Sequence, residues 1–132
     1  MRVLQFALSG LPDNPHVPAN HPDRCVVYTG THDTDTTLGW WRSLEQWQRD
    51  MTGWPGTHEP SWSLIETAYR SRGRIAIVPM QDVLGLGGDA RLNHPGQAHG
   101  NWSWRMAEHD LRPDLAERLR ALAHETGRAP GR

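Results

Sequence analysis

A parallel α/β fold, part of a barrel or of an open sheet, is predicted by three features of this 132-residue sequence. The runs MRVLQFAL, CVVY and IAIVP are short, apolar and nearly free of polar alternation, as strands covered on both faces are. The intervals between them carry helical periodicity or proline-rich loop. Neither interval offers the short turn of a hairpin, so the strands must be joined by crossovers. The resulting order is strand, loop, strand, helix, helix, strand, loop, helix: a run of βα units.

Taken in order, MRVLQFAL is rich in strand formers from residue 1 and reads as a buried strand. Ser9 to Asp23, SGLPDNPHVPANHPD, contains four prolines, two asparagines and a glycine, which forbid regular structure and describe an ordered loop. CVVY, Cys25 to Tyr28, is the second buried strand. Trp40, Leu44, Trp47 and Met51 advance by four, three and four residues, which predicts a helix over 36–51 with Trp40 and Trp47 in the core. Gly53, Pro55 and Gly56 break it. SWSLIETAYRSR predicts a second helix over 61–72, with Leu64 and Ala68 on one face. IAIVP, Ile75 to Pro79, is the third buried strand. PMQDVLGLGGDARLNHPGQAHGNWSWR is mostly loop. Pro113 opens a last helix carrying Leu115, Leu119 and Leu122, and Gly127 stops it.

Length allows one domain. All 14 basic residues are arginine, they face 15 acidic residues, and no basic run follows a phosphate backbone, so nucleic acid is not an expected partner. Cys25 is the single cysteine; it forms no internal disulfide, suits a reducing compartment, and reads as a small core hydrophobe. No charged-then-apolar leader precedes a cleavage site, and no apolar run reaches the ~18 residues of a membrane helix. A cytoplasmic protein without a membrane partner is expected.

Several patterns touch on chemistry. GLGGDA, Gly85 to Ala90, matches the spacing of a dinucleotide-binding turn, but Met80 to Leu84 separate it from the strand and LNHPG replaces the helix whose amino terminus would meet a pyrophosphate. No nucleotide cofactor is expected. The eight histidines are scattered, with His94 and His99 five apart in a Pro-Gly loop, so no metal is expected either. Trp102 and Trp104, in the loop GNWSWR, lie on no periodic face and suit either sugar stacking or loop support. Polar clusters follow two strands: His32 and Asp33 after CVVY, and Gln81 and Asp82 after IAIVPM. Ligands in parallel βα folds bind at the carboxyl ends of strands, and carboxylates, amides and imidazole around aromatic rings suit a carbohydrate. The competing reading makes Asp33 or Asp82 a cap for the helix that follows.

YTGTHDTDTTLGWW, with RVLQFA before it and PMQDVLGLG, ARLNHPG and GNWSWR after it, closely resembles the carboxyl-terminal part of the 4-α-glucanotransferases, the amylomaltases or disproportionating enzymes. The resemblance runs over nearly the whole chain in the family's order. It implies a partial TIM (β/α)8 barrel, about strands six to eight with their helices, with residues 1–132 the carboxyl-terminal part of a glycoside-hydrolase-type catalytic domain. It implies retaining transfer of α-1,4-glucan segments between maltooligosaccharides. Asp33 would be the third catalytic carboxylate, gripping sugar hydroxyls, while His32, Gln81, Asn93 and Trp102 would bind glucan. The nucleophilic Asp and acid/base Glu belong to strands four and five, outside this chain. The resemblance therefore implies a fragment whose partner would be a complementary amino-terminal barrel chain. The alternatives are a non-catalytic glucan-binding fragment and a hydrolase using Asp33 with Asp82.

Overall fold

A computed structural model describes residues 1–53 and 59–130. Three short strands, β1 (Arg2–Val3), β2 (Val26–Tyr28) and β3 (Ile75–Ile77), form one sheet in the order β1-β2-β3. Both pairings are parallel, Arg2 opposite Val27 and Val27 opposite Ala76. The helices are α1 (Thr37–Ser43), α2 (Gln46–Met51), α3 (Pro60–Arg70), α4 (Met80–Val83) and α5 (Pro113–Glu125). No described helix is long and apolar enough to cross a membrane.

Helix α3 organises the core because its two apolar flanks face different layers. Leu64 and Ala68 pack on the sheet through Leu4 and Val27, with Cys25, Trp40 and Ala76 at the margin. Trp62 and Ile65 pack with Val83, Leu115 and Leu122, which brings α4 and α5 onto the outer side. Pro60 and Pro113 each occupy the first turn of their helix, where the missing N–H costs nothing. Gly127, at φ 68°, lies just past the end of α5. The Arg128 guanidinium then reaches back across the carboxyl end of α3 and donates to the carbonyls of Tyr69, Ser71 and Gly73 at 2.6, 2.9 and 2.7 Å.

Four expectations need correction. The opening strand covers only Arg2–Val3 before a 3₁₀ turn at Leu4–Phe6. Gln5 breaks it: its side chain turns inward and donates to the Asp35 carbonyl at 2.9 Å. The helix over 36–51 is two helices, because Leu44 and Glu45 are extended (ψ 141° and 158°) and the Gln48 side chain accepts the Glu45 N–H at 2.9 Å, starting α2 afresh. That break rotates Trp47 out of the core to 60% exposure and leaves Met51 exposed. The third strand ends at Ile77, and its isoleucines are not buried: Ala76 faces α3, whereas Ile75 and Ile77 point to the other face, 49% and 45% exposed. The segment after it opens with a helical turn, α4, which Pro79 starts. Pro55 and Gly56, the expected helix breakers, lie outside the described residues.

Candidate functional site

The loop after β2 folds on its own threonines. The Thr31 N–H donates to Thr34 Oγ1 at 2.9 Å, the Thr34 N–H donates to the Thr31 carbonyl at 3.3 Å, and the Asp33 N–H donates to Thr31 Oγ1 at 3.2 Å. These bonds close a tight turn that lifts His32 and Asp33 above the sheet, both about half exposed. The turn ends at Thr36, whose hydroxyl accepts the Gly39 N–H at 3.1 Å and caps α1. Gly39 is required there, since a Cβ would lie 2.5 Å from the Asp35 carboxylate. Thr36, not Asp33, is therefore the cap, and for α4 that position belongs to Pro79 rather than Asp82.

Around this turn lies a cleft of about 340 Å³ whose lining includes Tyr28, His32, Asp33, Gln81 and Arg91. Asp33 is its best-connected exposed group. Its Oδ2 lies 3.2 Å from His32 Nε2, and its Oδ1 accepts a 2.7 Å hydrogen bond from Asn93 Nδ2. The His32 and Trp102 rings are 5.4 Å apart. Asn93 and Trp102 come from the loop after β3, and Arg91 to His94 serve as its brace. The Trp102 N–H donates to the Leu92 carbonyl at 2.6 Å, and the His94 N–H donates to Asn101 Oδ1 at 2.8 Å. Trp102 is held at φ 59°, a left-handed conformation that costs a non-glycine residue about 1–2 kcal/mol, with its ring exposed.

Four of the five expected site residues, His32, Asp33, Asn93 and Trp102, thus meet at one mouth. Gln81 differs: it lines the cleft floor but is buried, and its amide donates to the Ala90 carbonyl at 3.2 Å. Asp82 is 1% exposed. Its Oδ2 accepts the hydroxyls of Thr29 and Thr37 at 2.6 and 2.7 Å, and its Oδ1 accepts the Thr37 N–H at 2.7 Å. Burial pushes its carboxyl up, against the pull of those donors. With both oxygens occupied, Asp82 ties β2, α1 and α4 together and is unsuited to pair with Asp33 in hydrolysis. Sequence reasoning missed Arg91, two residues before Asn93, whose Nη2 donates to the Asp33 carbonyl at 2.8 Å. Its place in ARLN beside Asn93 was the available signal. No group of three or more His, Cys, Asp and Glu poised for a metal occurs among the described residues.

Residues 1–111 match a family model described as 4-alpha-glucanotransferase. The 4-alpha-glucanotransferase of Thermus thermophilus is 45% identical over 139 residues, which cover 97% of this chain and 28% of the relative. The chloroplastic/amyloplastic 4-alpha-glucanotransferase of Solanum tuberosum is 47% identical over 135 residues, 97% of this chain and 23% of the relative. In structure, the amylomaltase from Streptococcus agalactiae in complex with acarbose aligns with a TM-score of 0.91 at 25% identity, over 98% of this chain and 27% of that one. The chain thus spans about a quarter of the length of these relatives. With the family match extending over most of its residues, and with identity at this level, the chain belongs to the 4-alpha-glucanotransferase family of glycoside hydrolases.

Proposed function

We propose that this chain is the carboxyl-terminal part of a 4-alpha-glucanotransferase catalytic domain, about strands six to eight of a (β/α)8 barrel, and that it contributes Asp33 to an α-1,4-glucan site in a cytoplasmic enzyme. The observation that carries this reading is the convergence of Asp33, His32, Asn93 and Trp102 beyond the carboxyl ends of β2 and β3. A carboxylate fixed on one oxygen by an amide and flanked by imidazole keeps acceptor capacity for sugar hydroxyls. The exposed indole beside it offers a flat apolar face to a pyranose ring. Asn93 donates to the carboxylate, the His32 ring lies 3.2 Å from its other oxygen, and Gln81 supports the cleft floor from below.

By family resemblance the nucleophilic Asp and acid/base Glu come from strands four and five, so the 132-residue chain acts together with a segment carrying those strands. Maltotriose incubated with the chain alone is expected to stay intact. Glucose and longer oligomers are expected once a polypeptide supplying the preceding strands is added. Turnover by the chain alone would overturn this assignment. Acarbose binding without any such rescue would favour a non-catalytic glucan-binding role.

A further inference from the structure

We infer that Arg91 is a positioning residue for Asp33, acting through the backbone on both sides of the carboxylate–amide pair. Its Nη2 donates to the Asp33 carbonyl at 2.8 Å and its Nε donates to the Asn93 carbonyl at 2.8 Å. One planar, permanently charged group thus spans two loops 58 residues apart in sequence and fixes the separation of their peptides. The Asn93 side chain then closes a ring by donating from Nδ2 to Asp33 Oδ1 at 2.7 Å. Because Arg91 takes the carbonyl of Asp33 and leaves its carboxylate alone, it sets where that carboxylate points without consuming its acceptor capacity. A displacement of the order of 1 Å at such a group is enough to disable it. No glucan contact is required of Arg91 itself. The inference rests on reading Asp33 as the glucan-contacting carboxylate.

Selective ¹⁵N labelling of asparagine isolates the effect, since the sequence has four asparagines, at 14, 20, 93 and 101. The side-chain amides of Asn14 and Asn20 donate to the Phe6 and Pro12 carbonyls, away from Arg91, whereas Asn101 Oδ1 accepts the His94 N–H and belongs to the same brace. Asn14 and Asn20 serve as internal controls. In the 132-residue chain, Arg91→Ala should raise the exchange rate of the Asn93 side-chain amide by about tenfold, the factor for losing one charge-assisted hydrogen bond, while the two controls hold. Arg91→Lys keeps the charge and loses the fork, and should behave as the alanine variant does. An unchanged Asn93 amide in either folded variant would overturn the inference. If Arg91→Ala fails to fold, Arg91→Lys is read in the same way; failure of both, or equal loss at Asn93 and both controls, would show a role in general stability and overturn it too. A parallel acarbose titration of the wild-type chain completed with a polypeptide supplying the preceding strands separates the two proposals. No acarbose binding with a selective Asn93 response counts against the glucan reading and leaves the positioning role standing.

Discussion

Asp33 carries the largest predicted effect of any single residue. Charge develops at the anomeric carbon as a glycosidic bond breaks, so hydroxyl contacts that strengthen there favour the transition state over bound substrate. In an enzyme completed with its missing strands, Asp33→Asn should lower kcat roughly a hundredfold while changing KM much less. Near-normal kcat on maltooligosaccharides would show Asp33 to be structural. The structure already removes the simplest structural role, because Thr36 rather than Asp33 caps α1. A second residue-level prediction concerns acid. His16 Nδ1 accepts the Val3 N–H at 2.9 Å, and the buried His21 donates from Nε2 to the His16 carbonyl at 2.9 Å. Burial holds both histidines below the ordinary value of 6.5, with the nearby Arg2 charge adding to it in each; the amino terminus acts on His16 as well, and the His16 carbonyl partly offsets the effect at His21. A lowered histidine pKa means that the unfolded chain binds more protons, so this stabilisation is fully present above 6.5 and is lost as pH falls through 6.5 toward the lower folded values. Urea midpoints taken from about pH 7 down to about pH 5 should fall for the wild type and fall less for His16→Asn combined with His21→Gln. Parallel declines would refute it.

Among the elements, the ones legible in the sequence were those whose apolar period survives folding. Leu64 and Ala68 of α3, and Leu115 and Leu122 of α5, are buried as their spacing required, and Pro113 and Gly127 mark ends that the structure keeps. The period through Trp40 and Trp47 misled because a local side-chain bond from Gln48 outweighed it and divided the helix at Leu44 and Glu45. The Glu45–Gln48 spacing resembles a capping box and was the available clue. The short α4 carries too few residues to show a period at all. In the site, loop residues such as Arg91 and Thr34 act through backbone bonds that no spacing rule announces. Arg128 is a further case: its charged hydrogen bonds to the carbonyls after α3 predict a cost of about 2 kcal/mol for Arg128→Ala. Chemical denaturation would read this as a lower urea midpoint at constant slope. A midpoint equal to that of the wild type would mean that water replaces Arg128 there without loss.

At the scale of the whole molecule, the described residues leave one sheet face open. Ile75 and Ile77 of β3 lie on an outer strand of the three, and their exposure predicts that the chain associates with itself in a concentration-dependent way. Ile77→Lys should increase the monomer fraction in sedimentation velocity; a wild-type chain that is monomeric throughout would contradict this. One last consequence belongs to the sheet's connectivity. Its partners, Val3 with Tyr28 and Tyr28 with Ile77, are parallel and far apart in sequence, and the first crossover is made by the polar loop of Asn14, His16 and Asn20 instead of an α-helix. No pair of strands can form as a local hairpin that would template the third. During synthesis β1 leaves the ribosome before β2, and β2 before Ile77, so the pairing of these three strands with one another depends on long-range closure and should be among the slower steps of folding.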